Sequence, residues 1–437
     1  MDILLAFGVF LISMLACILT GTSMVPGLAV SYVAFCLVGL HRKCSIKDLL
    51  RLSLKGMYEV RMVAVIMLVI GILTATWRMS GTILYFVYYG VNMISPSLFI
   101  LMAFLLTSLI AYALGTSFGV SATVGVILMA IARSGGVNPA LAAGAIFSGV
   151  YFGDRGSPVS SAAHVVAAMT DTDMPGNVRW MHRTAALPFL LSAAIYAVFS
   201  YFNPVGTVDP TMLTAIETDF VLSHALVIPV IIMLVLPLFR ISTLTTCAFS
   251  IAAAGIISVM IQGMDVSEVI KACIFGYEPA AGALGDMLSG GGITSMIEVD
   301  LVLLISCTYS KIFEATGVLD EVSAVFEKLI GRFGRFVTNI ILSIASVAVF
   351  CNQTMGSIVC ATLLREPYHR DGATDREFAI DLENSVILIG GLVPWSIASS
   401  APLGFMGADA SALPYACFLY LVPICYLLTK KRFNFNE

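Results

Sequence analysis

Asp154 is the residue on which chemistry can most readily turn. It lies in Gly153-Asp154-Arg155-Gly156-Ser157-Pro158, followed by Ser160-Ser161, and this polar run interrupts long apolar stretches of a chain that is 59% hydrophobic and 11% charged. A carboxylate in lipid costs about 2.5 to 3.5 kcal/mol on insertion scales, so it is retained where it binds something or is paired. A group that holds a proton in one state and a metal ion, here Na+, in another is what exchange of the two requires. Two structural alternatives stand beside that reading: an ion pair with Arg155, or a helix end near water.

Other polar residues could complete a site around it. Thr116, Ser117, Ser157, Ser160 and Ser161 offer hydroxyl oxygens, and helix breaks at Gly115, Gly153 and Gly156 free backbone carbonyls, a set suited to a hard cation or a carboxylate. Taken singly, each hydroxyl more readily bonds its own helix. A second set follows in Asn352, Gln353 and Thr354, then Glu383, Asn384 and Ser385, with Gly390 and Pro394 as further breaks. Asp381 and Glu383 are two apart and so face different ways on a helix. Glu383 is either a second titratable group or, with Asp381, a favourable charge at a helix start. His164 reads as a satisfied buried histidine.

These residues need a membrane-embedded frame. The chain has 437 residues, a mean hydropathy of +0.96 and apolar runs of membrane-spanning length, which excludes a water-soluble globule. The expected fold is all-α and polytopic, with about ten to thirteen helical segments. Residues 1–61 read as a helical hairpin followed by an amphipathic segment, 62–203 as a first repeat, 204–298 as linking spans with an external loop, and 299–437 as a second repeat. The start of the chain is apolar without a basic stretch ahead of it, so it reads as a first membrane helix. Ten cysteines are scattered singly without a metal-binding spacing. Neither a cofactor nor nucleic acid is expected. The lipid bilayer and a small cation or organic solute are the expected partners, and a homodimer is compatible with this plan.

Loop charge sets orientation. Arg42, Lys43, Lys47, Arg51, Lys55 and Arg61 mark a cytoplasmic segment, within which Ile46, Leu49, Leu50, Leu54 and Met57 have the spacing of an interfacial helix and Leu52 falls off it. Asp209, Glu217 and Asp219 lie in a stretch without Lys or Arg and read as external. A turn at Pro237 and Arg240 leads to a second acidic region that includes Asp286, Glu298 and Asp300. Lys328, Arg332 and Arg335, then Arg365 to Arg376, then Lys430 to Arg432 read as cytoplasmic. Both termini are therefore placed inside.

The halves also match. Gly119 and Gly356, Ser148 and Ser385, and Gly153 and Gly390 are each 237 residues apart, and Thr76 to Gly81 aligns with Ile312 to Gly317 at 236. The first unit follows a basic segment and the second an acidic one, so the copies are expected to cross in opposite senses. Inverted repeats with broken helices near the midplane are characteristic of secondary transporters.

Gly115-Thr116-Ser117-Phe118-Gly119, Ala143 to Ile146, Ser148-Gly149, Tyr151-Phe152-Gly153-Asp154 and Ser157-Pro158 resemble the NhaC-type sodium/proton antiporters of bacteria, as do Glu383, Ser385, Pro394-Trp395 and Pro414-Tyr415-Ala416. The resemblance covers nearly the whole chain. It implies an inner-membrane secondary transporter with a transport domain moving against a scaffold. Three positions that are acidic in the family pattern are neutral here, at Ser161, Asn352 and Asn384. Their neutrality favours an organic anion or zwitterion, since like charge no longer opposes its carboxylate.

The leading expectation is a Na+/H+ antiporter working through Asp154, with Thr116, Ser117, Ser157, Asn352, Thr354, Glu383 and Ser385 as further binding residues. The rival is a Na+- or H+-coupled carrier of an amino acid or a malate- or lactate-type acid, its carboxylate held by Thr116, Ser117, Asn352 and Thr354. A channel would need a filter or charge ring. An enzyme would need a motif such as HExxH or GxSxG, and the Ser289-Gly290-Gly291-Gly292 loop lacks the Lys of a P-loop.

Overall fold

Apolar runs become helices because lipid leaves each backbone amide to be bonded within its own segment. The computed structural model describes residues 3–20, 22–93, 95–206, 210–239, 241–279, 288–316 and 329–435. Among them the structure is helical, apart from one isolated bridge between Tyr277 and Gly290. Arg61–Met79, Pro96–Leu114, Ser117–Ser134, Met174–Phe202 and Thr243–Met260 are long and apolar enough to cross a membrane, and Asp375–Leu392 with Ile397–Phe405, bent by 56°, makes a sixth if taken as one span. The protein is an all-α polytopic membrane protein. Among the described residues, uninterrupted spans are fewer than the ten to thirteen helical segments expected, because several helices are short or stop at breaks. Gly317, Asp209, Arg240, Asp286 and Lys328, used in the repeat and charge arguments, lie outside the described residues.

Eight helices build the central region: α1 (Phe99–Leu114), α2 (Ser117–Ser134), α3 (Pro139–Gly156), α4 (Ser161–Met169), α5 (Arg335–Phe350), α6 (Gln353–Arg370), α7 (Asp375–Leu392) and α8 (Ile397–Phe405). The first four and the last four share a series of backbone landmarks. Gly115 and Cys351 are left-handed, at φ 64° and 52°. Thr116 and Asn352 cap the next helix from nearly identical extended conformations, φ −143°, ψ 125° and φ −142°, ψ 124°. Ser160 and Ser396 cap α4 and α8 after breaks that contain Pro158 and Pro394. Asp171 and Gly407 are again left-handed. Each pair is 236 residues apart. The glycine and serine matches at 237 are thus one residue out of the structural register, whereas the match beginning at Thr76 shares it.

Contacts between the units fix their relative direction. Both ends of the α1–α2 hairpin meet one short segment, Val205 N–H donating to the Pro96 carbonyl and Gly206 N–H to that of Gly135. Arg133, at the end of α2, donates to the carbonyls of Met406 (3.0 Å) and Gly407 (2.6 Å) just past α8. In return Arg365, on α6, donates to the Met169 carbonyl (3.4 Å) at the end of α4 and pairs with Asp171. A guanidinium at a helix C-terminus meets otherwise unbonded carbonyls and the negative dipole end. The α3–α4 pair therefore runs from the mouth of one hairpin to the mouth of the other, and α7–α8 runs back. The broken helices are antiparallel.

The expected amphipathic segment is the helix Ile46–Glu59, begun by a capping box between Ser45 and Asp48. Leu49, Ser53 and Gly56 face the protein, and a Cβ on Gly56 would stand 2.1 Å from the Cys307 carbonyl oxygen. Ile46, Leu50 and Leu54 remain exposed as an apolar stripe, as an interfacial position requires.

Candidate ion-binding site

Asp154 sits in the last turn of α3, the end of a helix that disfavours a carboxylate. What offsets this is the meeting of two other helices at the same point. Gln353 Nε2 donates to Asp154 Oδ2 at 3.4 Å, and the amide and hydroxyl of Ser117 interact with the same carboxylate. Ser117 opens α2 and Gln353 opens α6, so two helix N-termini bring their positive ends to one acid. The two residues are equivalents 236 apart, but the acid is not duplicated: the position matching Asp154 is Gly390. A Cβ there would lie 3.0 Å from the Gln353 side chain, so the glycine lets Gln353 lie flat across α7. Asp154 is 5% exposed.

Arg155 does not pair with its neighbour. Fully buried, it donates to the Met181 carbonyl (3.1 Å), to Thr184 Oγ1 (2.9 Å) and to Asn384 Oδ1. Glu383 is also fully buried, and neither of its carboxylate oxygens has a hydrogen-bond partner. Its charged neighbours are Arg155 and Asp154. Within α7 the Asp375–Glu383 stretch starts at the Thr374 cap and is interrupted at Asn384 and Ser385 before Val386–Leu392, so Glu383 stands at the end of a helical stretch, which removes the helix-start reading. Asp381 behaves as the spacing argument requires and faces elsewhere, bonded by Tyr368 (2.9 Å), Tyr426 (2.9 Å) and Lys430.

Several expected site residues are engaged in structural bonds. Thr116 accepts from Gly119 N–H (3.3 Å), and Asn352 accepts from Thr354 N–H (2.9 Å) and Met355 N–H (3.2 Å), as N-caps do. Ser157 donates to the Tyr112 carbonyl at 2.6 Å, and Ser385 donates back to that of Asp381 at 2.7 Å. Thr354 is exposed, its amide held by the Asn352 cap. His164 is bonded to the Ser160 carbonyl but is exposed, not buried. Among the expected breaks, Gly115 and Pro394 lie in one. Gly156 is the last residue of α3, before the interruption at residues 157–160. Gly153 and Gly390 lie inside helices instead. A Cβ on Gly153 would stand 2.1 Å from the Ala111 carbonyl carbon, so this glycine lets α3 press against α1.

Gln353, Thr184 and Asn384 emerge as contacts that residue type alone did not rank. Gln353 had been visible only as part of a polar trio, and a threonine within the apolar run of Met174–Phe202 carries no signal in sequence.

The profile of the Na+/H+ antiporter family matches residues 3–163 and 149–429. Similar proteins include a malate-2H+/Na+-lactate antiporter of Bacillus subtilis, 26% identical over 96% of this chain and 91% of the relative. The Na+/H+ antiporter NhaC of Alkalihalophilus pseudofirmus is 25% identical over 83% of this chain and 80% of its own length. An arginine/ornithine antiporter of Halobacterium salinarum is 26% identical, covering 83% and 77%. With matches spanning both halves and a buried acid where the two broken-helix units meet, the chain belongs to the Na+/H+ antiporter family.

Proposed function

We propose that this protein exchanges Na+ for H+ across a bacterial cytoplasmic membrane, both termini inside, with Asp154 holding the two ions in turn. The observation that carries the reading is the enclosure of Asp154 between the first residues of α2 and α6. A carboxylate taken out of water must be neutralised, and a proton and a small cation are alternative ways to do so. Because one carboxylate cannot be occupied by both, loading Na+ on one side expels H+ there, and the reverse follows when the site opens on the other side. Ser117 and Gln353 supply oxygen ligands for the cation and hydrogen-bond donors for the anion. Glu383, buried without a donor, is the second group that must carry a proton or share a cation, with Arg155 beside it. The repeat units, within 62–203 and 299–437, are the natural moving parts. In proteoliposomes, an imposed Na+ gradient should drive proton movement that saturates with Na+ and disappears in Asp154→Asn; unchanged flux in that variant would remove the mechanism.

A second reading, coupled transport of a small organic solute, is supported by the similarity along 96% of the chain to a malate-2H+/Na+-lactate antiporter and by the neutral Ser161, Asn352 and Asn384. Labelled malate, lactate or amino-acid counterflow separates it from simple cation exchange.

A further inference from the structure

A cavity of about 570 Å³ lies between the Gly115 break, the start of α4 and the turn that leads into Thr243–Met260. Three helix starts border it: Thr116, the cap of α2; Ser161, the first residue of α4; and Ser242 with Thr243, the cap and first residue of Thr243–Met260. Positive dipole ends at three helix starts favour an anion. Among the described residues no Asp, Glu, Lys or Arg lines it. Thr246, one turn into Thr243–Met260, supplies an independent sign. It lines the cavity, is fully buried, and its Oγ1 has no hydrogen-bond partner. Helical hydroxyls elsewhere in this chain, such as Thr107, Ser108 and Ser258, bond back to the carbonyl four residues earlier. A buried hydroxyl that forgoes that bond costs free energy unless a ligand completes it.

From this we propose that the cavity binds a small organic carboxylate, held by the hydroxyls of Thr116, Ser161, Thr243 and Thr246 and by the helix starts around them. It has the volume of a small-molecule site, and its described lining lacks the anionic oxygens a cation would need. The proposal rests on the transporter reading and specifies its second form: the carboxylate travels in this cavity while Asp154, across the first turn of α2, keeps the coupling ion. Ser161 matters because an acid at that position would repel the ligand, whereas its hydroxyl donates to it.

The test is binding of labelled lactate, malate, succinate and acetate to the purified full-length protein, with Thr246→Val and Ser161→Asp beside it and thermal melting as the control for folding. Saturable binding of at least one acid is expected, weakened roughly tenfold or more by Ser161→Asp through like-charge repulsion and less by Thr246→Val, while Thr246→Ser retains it. If no acid binds to protein that still moves protons in response to Na+, the carboxylate site is overturned and cation exchange stands. Binding that both variants leave intact overturns the assignment to this cavity. Absence of Na+-driven proton movement in the unsubstituted protein is a different failure, that of the cation reading.

Discussion

Gln353 reaches from the first turn of one broken-helix unit to the carboxylate of Asp154 in the other, its Nε2 3.4 Å from Oδ2. This bond crosses between parts of the chain that must shift if access to the site alternates. In the proposed exchange it would tie occupancy of Asp154 to the relative position of the units, the amide oxygen serving a bound Na+ and the NH2 a bare carboxylate.

Replacing Gln353 by Leu should therefore weaken Na+ binding without unfolding the protein. A loss of about 1 kcal/mol, the scale of one net hydrogen bond, corresponds to roughly a fivefold rise in the Na+ concentration for half-maximal exchange. The half-saturation of Na+-driven proton flux measures it.

Glu383→Gln should separate stability from function. An unpartnered buried carboxylate is a cost in the folded state, so the neutral isostere should leave the melting temperature unchanged or raise it. Na+-driven proton flux should fall. A drop in both would mean that Glu383 serves the fold.

Gly153→Val should fail in packing. The added side chain would begin 2.1 Å from the Ala111 carbonyl carbon, and overpacking of this kind costs about 1 to 3 kcal/mol or more. Lower yield and melting temperature are expected, and Ala111→Gly should restore part of the loss.

The link between Asp173 and Arg376 should depend on pH. The Arg376 guanidinium, then the Gly176 amide, holds the Asp173 carboxyl below the usual carboxylate range. A depressed folded-state value means its contribution is complete above the ordinary value near 4 and is lost as pH falls through the lower one. The side chain is 61% exposed, so screening limits a double-mutant coupling with Arg376→Ala to less than about 1 kcal/mol, and salt should reduce it further.

The membrane class, the helical fold and the burial of Asp154 were legible in composition and in the misplaced polarity of residues 153–161, because the cost of such residues in lipid depends only on their type. The duplication was legible too, at an offset one residue from the register of Gly115 with Cys351 and Thr116 with Asn352. Residue identities at those landmarks had diverged while the backbone conformations had not, so matching letters caught neighbouring positions. For Glu383 the spacing left open a titratable group or a helix start; Thr374 begins that helix two turns earlier, which removes the second.

What the sequence decided by itself is which segments must leave water and which acid is out of place there, since both follow from transfer free energy residue by residue. Only the tertiary structure decided what those polar groups do. Thr116, Asn352 and Ser157 satisfy the backbone at the breaks; Arg155 turns from Asp154 to Asn384; Gln353 crosses to Asp154; Thr246 borders a cavity with its hydroxyl unbonded. A hydroxyl or amide has several partners of similar energy, and only the packing of helices distant in sequence determines which one it meets.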